Sequence, residues 1–174
     1  MYTNEQECYE NYPAWIVVIS NLVSLSTYFI GGFIIYQIGF LWLALYILYI
    51  LILELRLIKG HCVNCYYYGK TCAFGKGRLS SLFFKKGESI KFCQNKMTWK
   101  DIVPDFLVSA IPIGVGIITL IIHFNWLILF LIVLLFILGF SGSALVRGQL
   151  ACKFCKQREL GCPAQKLFEK NNKN

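Results

Sequence analysis

Two stretches of this chain carry cysteines at one spacing. Cys62, Cys65 and Cys72 form a C-x2-C-x6-C motif, and Cys152, Cys155 and Cys162 form it again. Two thiolates three positions apart reach one ion from a tight turn, and a tetrahedral ion such as zinc takes four ligands. Each motif supplies three. In one scheme the motifs meet and six thiolates hold two zinc ions, two of the sulfurs bridging. In the other each motif recruits one more thiolate, Cys93 for the first and Cys8 for the second, giving two four-thiolate sites. Four thiolates also suit an iron–sulfur cluster, the alternative cofactor. Reduced cysteines are ordinary core residues, but six in a repeated spacing, set among lysines and tyrosines, do not follow the pattern of core hydrophobes.

The paired motif is similar to that of the fungal binuclear zinc-cluster DNA-binding domains, in which two cysteine-rich halves enclose two zinc ions. The resemblance rests on Cys62, Cys65, Cys72, Cys152, Cys155 and Cys162 alone, and it implies two zincs held by shared thiolates. Here a long apolar hairpin separates the halves where that family has a short linker, so DNA binding is not carried over. Cys162-Pro163 resembles the Cys-Pro that ends bacterial ferredoxin motifs, although the x6 spacing departs from them.

The elements that must position these cysteines are membrane helices. The chain has 174 residues, of which 57% are hydrophobic and 15% charged, with a mean hydropathy of +0.58. That leaves too little polar surface to cover a water-soluble domain. Four windows of about 20 residues are nearly free of charge, the length that crosses a hydrocarbon core of about 30 Å. They predict helices at about 14–37, 39–58, 103–123 and 126–146, an all-α membrane protein with a small cysteine-rich head. The chain divides into a first hairpin (1–58), a cysteine-rich loop (59–102), a second hairpin (103–146) and a cysteine-rich tail (147–174). The hairpins match: a proline near each start (Pro13, Pro104), two crossings, an arginine at the exit (Arg56, Arg147), then the cysteine motif. This pattern predicts a parallel internal repeat.

Glu5, Glu7 and Glu10 before the first apolar run are the wrong charge for a signal peptide, so that run is expected to stay as a helix. All 17 Lys and Arg lie between Arg56 and Lys100 or from Arg147 onward, while the connections near 37–39 and 124–125 are uncharged. Four crossings put both basic stretches on one side, and the positive-inside rule makes that side cytoplasmic, with both termini, at the cell membrane. There thiols stay reduced and available to metal. The net charge of +8 favours anionic lipid at that face, and a protein partner is a further expectation. Nucleic-acid binding is not expected, because membrane topology alone accounts for the charge.

Along the chain, Asn11 and Pro13 read as a cap and first turn. Ser20, Ser24, Ser26, Thr27, Gly31 and Gly32 read as close-packing positions in helix one. Glu54, about one turn from the interface, is expected to pair with Arg56 or Arg147 or to reach water. Leu79, Leu82 and Phe83 fall on one face of a short segment with basic ends, a pattern suited to the membrane interface. The neighbouring Gly75-Lys76-Gly77-Arg78 lacks the spacing of a phosphate loop. Thr98 to Asp101 resembles a capping box, and Asp105 suits the positive end of helix three. Pro104, Pro112, Gly114 and Gly116 predict a bend or close contact there, and helix four softens from Gly139 to Ser143. His123 has no histidine partner at haem spacing. With no nucleophile–base pair, paired catalytic carboxylates or nucleotide loop, the expected role is a non-enzymatic binding platform. The alternatives are a membrane electron carrier and metal or thiol handling.

Overall fold

The computed structural model describes residues 8–88, Phe92, 99–160 and Cys162; of residues 99–102 it describes the backbone alone. Cys93 and Thr98 lie outside the described residues. Helix α1 spans Ala14–Tyr36, α2 Phe40–Gly60, α3 Lys76–Phe83, α4 Trp99–Ile122, α5 Trp126–Phe136 and α6 Lys156–Glu159. A 3-10 turn at Cys62–Asn64 follows α2. Among the described residues the extended pairing is a single parallel bridge between Tyr9 and Cys155.

Four helical stretches are long and apolar enough to cross a membrane: Ala14–Tyr36, Phe40–Asn64, Val103–Ile122 and Trp126–Ala151. The chain itself buries between 11% and 33% of their most apolar windows. Phe29, Phe40 and Ile121 are left about three-quarters exposed. Such surface is stable only against lipid or other apolar chains. Trp15, Trp42 and Trp126 stand near span ends, where indole rings favour the headgroup boundary.

Three of the four helices outrun their apolar windows, the second span reaching Asn64 where 58 is expected. α4 begins at Trp99, four residues before the expected 103, because Lys100 and Asp101 end the apolar window without breaking a helix. The fourth span reaches Ala151 where 146 is expected. After α5 it passes through π-helical turns at Ile137–Gly142 and Val146–Ala151 around a helical turn at Ser143–Leu145. The Cys152 amide bonds to the Arg147 carbonyl, 2.7 Å away and five residues back. The softening expected at Gly139 to Ser143 is thus a widened helix, continuous up to the second cysteine motif.

The described residues fall into two compact units, one within Asn21–Arg56 and Thr98–Leu145, the other within Met1–Ser20, Leu57–Met97 and Val146–Asn174.

In the helical unit, packing turns on small residues and proline. Pro112 has no N–H, so it leaves the Val108 carbonyl without its ordinary helical donor. The buried Tyr46 hydroxyl fills that place, donating to Val108 O at 2.9 Å. Gly31 makes room for it: a Cβ there would run into the Tyr46 hydroxyl and lie 3.0 Å from Pro112 Cγ. Gly116 similarly admits Ile132, whose side chain would come within 2.8 Å of a Cβ, and Gly139 admits Ser109 at 2.9 Å. Gly31 and Gly116 are close-approach positions, as expected, whereas a Cβ on Gly114 would meet nothing within 4 Å. Thr27 and Thr119 satisfy their hydroxyls on the carbonyls four residues back, at 2.9 and 3.0 Å, which is helix packing and not a polar path. Glu54 accepts from Tyr28 at 2.8 Å, a tyrosine partner that the expectation of an arginine did not include.

Candidate metal centre

Both cysteine motifs belong to the second unit, which is organised by tyrosines. Its core is Tyr12, Ile16, Tyr67, Ala73 and Ala151, with Tyr9, Cys65, Tyr66, Cys72, Phe74 and Cys155 packed against it. The first motif leaves α2 through the Cys62–Asn64 turn. Gly69 and Gly75, at φ 74° and 70°, take left-handed conformations costly to other residues and fold the chain back onto α3. The second motif leaves the widened end of the fourth span and enters α6.

Residues 8–12 join the two. The Tyr9 amide donates to Phe154 O at 3.0 Å and the Tyr12 amide to Thr71 O at 2.9 Å. Asn11, expected as a helix cap, instead accepts from the Thr71 amide at 3.1 Å. Helix α1 starts from Pro13, whose carbonyl accepts from Ile16 at 3.1 Å. The Tyr12 hydroxyl donates to the Ala151 carbonyl. The Tyr67 hydroxyl donates to Tyr9 O at 2.6 Å and accepts from the Lys156 amide at 3.0 Å. Buried Gln157 accepts from the Tyr66 amide at 2.7 Å. Burial pushes the Tyr12 and Tyr67 hydroxyls up from their ordinary values, keeping them neutral donors. A Lys156–Glu10 pair at 3.1 Å is solvated and adds little.

These tyrosines and Gln157 are the structural residues that motif reading missed. Tyr9 and Tyr12, three apart, and the run Tyr66-Tyr67-Tyr68 are visible as aromatic-rich flanks. Their pairing joins positions 58 to 139 residues apart, beyond any local pattern.

Around the sulfurs the motifs are alike. The Tyr67 amide bonds to Cys65, and the Gln157 amide, two residues on in the same way, bonds to Cys155, which also receives Arg158. The Gly77 amide donates to Cys72 Sγ at 3.3 Å. Backbone N–H groups aimed at sulfur favour thiolate. Desolvation works against them. Burial pushes the Cys65 thiol up to about 12, with Cys155, Cys62 and Cys72 adding to the rise. It pushes Cys155 up to about 11, with Cys152 and Cys162 adding to it. Cys65 and Cys155 are thus within electrostatic reach of each other, each amid its own motif. A cation would reverse the balance, since it stabilises the thiolates that burial disfavours.

Cys8 lies beside α6. Its thiol is raised first by burial and then by a hydrogen bond to Glu159. Cys93 falls outside the described residues. Among the described residues no three Cys, His, Asp or Glu side chains converge closely enough to hold one ion, so coordination requires the thiols to close further. The donor set fits a thiophilic ion: reduced sulfurs, backbone amides directed at them, and a scaffold that brings the motifs into one unit.

No model of a protein family, no curated protein and no solved structure matches the chain.

Proposed function

We propose that this protein is a non-enzymatic membrane platform. In this reading its cytoplasmic head is stapled by metal–thiolate bonds from Cys62, Cys65, Cys72, Cys152, Cys155 and Cys162, with Cys93 and Cys8 available to complete four-thiolate sites. Zinc is the ion. It has no redox chemistry, and what it supplies is a cross-link between the two cysteine-bearing segments, added to their tyrosine core. The observation that carries the reading is the matching turn in each motif, where the Cys65 amide donates to Cys62 O at 3.3 Å and the Cys155 amide to Cys152 O at 3.4 Å, with the Tyr67 and Gln157 amides directed at the middle sulfurs. A duplicated ligand turn accounts for it, and the matching order of proline, two crossings, arginine and cysteines supports a duplicated hairpin.

The same amide-to-sulfur bonds would tune an iron–sulfur centre, so an electron carrier is the second reading. Elemental analysis and the visible spectrum of anaerobically purified protein separate the two. A colourless protein with about two zinc ions per chain is expected. Stoichiometric iron with acid-labile sulfide and absorption near roughly 400 nm would replace the platform by the carrier. Absence of both metals would overturn both.

A further inference from the structure

Outside the four spans, on the side that carries the cysteine motifs, the large apolar side chains left exposed among the described residues are Leu79, Leu82, Phe83 and Leu160. Three of the four stand on α3. At helical periodicity Leu82, Leu79 and Phe83 fill an arc about 100° wide, bordered by Arg78 on one side and Lys76 on the other. Lys85 and Lys86, both exposed, follow directly.

The opposite side of α3 is locked to the chain. Gly77 and Ser80 are buried, and Gly69 donates to Gly77 O at 2.9 Å. A Cβ on Gly77 would lie 2.6 Å from the Lys70 carbonyl. α3 therefore cannot roll to hide its apolar arc. It packs on the Cys62–Asn64 turn, the last residues of the second span. The Gly87 amide beyond α3 is tied to Val63 O at 3.1 Å. The apolar arc is thus displayed beside the point where a membrane span ends.

We propose that α3 is a membrane-surface anchor. Leu79, Leu82 and Phe83 sink into the headgroup–acyl boundary of the chain's own bilayer, while Arg78, Lys85 and Lys86 lie against anionic headgroups. An apolar arc edged with arginine and lysine has the composition of interfacial helices. Basic residues near an anionic surface favour binding by about fivefold each. The occupant is lipid because the exposed charges next to the arc, Arg78, Lys85 and Lys86, are cationic, with exposed Glu88 further along the chain, and because the arc is held where lipid is already the neighbour. This rests on the membrane-spanning helices and not on the metal.

The test uses the full-length protein in lipid nanodiscs, with p-benzoylphenylalanine placed at Leu82 or, as a control on the far side of the arc, at Ser81. In discs containing about 30% phosphatidylserine, irradiation should give lipid adducts at 82 and few at 81. The exposed-site variant Arg78→Gln/Lys85→Gln/Lys86→Gln should lower the yield at 82 by at least about fivefold. Adducts at 82 with a second copy of the chain or another protein, no adduct there, or equal yields at 81 and 82 would overturn the proposal. Metal content is measured on the same samples. A metal-free protein that still gives lipid adducts at 82 would sink the metal platform and leave the anchor standing.

Discussion

Tyr67 is the side chain on which the cysteine-bearing unit turns. One hydroxyl donates to Tyr9 and accepts from Lys156, so Tyr67→Phe strands a carbonyl and an amide from two separate segments. Leaving such groups unsatisfied costs about 1–3 kcal/mol each when they are buried. The variant should open that unit to limited proteolysis while the spans stay inserted, and a cleavage pattern like that of the parent would count against the role given to Tyr67. The thiols make a second prediction, with a sign that depends on metal. Without an ion, Cys65 and Cys155 titrate above their ordinary value of 9.0. Their folded-state pKa is raised, so their contribution is fully present below the unfolded thiol pKa. It is lost as pH climbs through about 11 to 12. The metal-free protein should therefore weaken in alkali. Metal affinity should move the other way, rising about tenfold per pH unit for each proton the thiols release on binding. Zinc competition titrations across neutral pH, with protease resistance of the chelated form in alkali, check both; a pH-independent affinity would rule out thiolate ligation.

At the scale of the helices, the Tyr46–Pro112–Gly31 contact makes a compact prediction. Tyr46→Phe removes the donor that replaces proline's missing N–H at Val108 and should cost about 1 kcal/mol, the range of interhelical hydrogen bonds in membranes. Gly31→Leu should cost more, because the clash meets a hydroxyl held by its own hydrogen bond and a rigid proline ring. Detergent unfolding midpoints should rank parent, Tyr46→Phe, Gly31→Leu; equal midpoints would show that the contact carries no weight. Membrane helices are the part most legible in sequence, because hydropathy is a local sum and a span announces itself within one window. Their ends are less legible. In the sequence, Trp99 and Ala151 stand next to charged or polar residues that neither extend the apolar window nor stop a helix. The π-helical turns of the fourth span left a mark in Gly139, Gly142 and Gly148, but glycine reads equally as a bend, a close contact or a widened turn.

Taken whole, the chain places its cysteine motifs and residues 8–12 in one compact unit, and the charge bias makes a topological prediction. An impermeant thiol reagent applied to intact cells should leave all the cysteines unlabelled until the membrane is opened. Labelling of Cys152, exposed in the structure, from outside would reverse the orientation. The candidate site was only half legible. Cysteine spacing is written along the chain and pointed to metal. The strap of Tyr9, Asn11 and Tyr12 that ties one motif to the other is made of long-range pairings of common residues, which no spacing encodes. That strap also sets an order of events in biosynthesis. The hydroxyl of Tyr12 waits for the carbonyl of Ala151, 139 residues later. At ribosomal rates that hydroxyl waits on the order of ten seconds for its partner. The strap can close on the second motif only when the fourth span, which ends at Ala151, is complete, so a ribosome stalled before Ala151 would hold a chain whose first three spans are made but whose N-terminal segment is still unfastened from that motif.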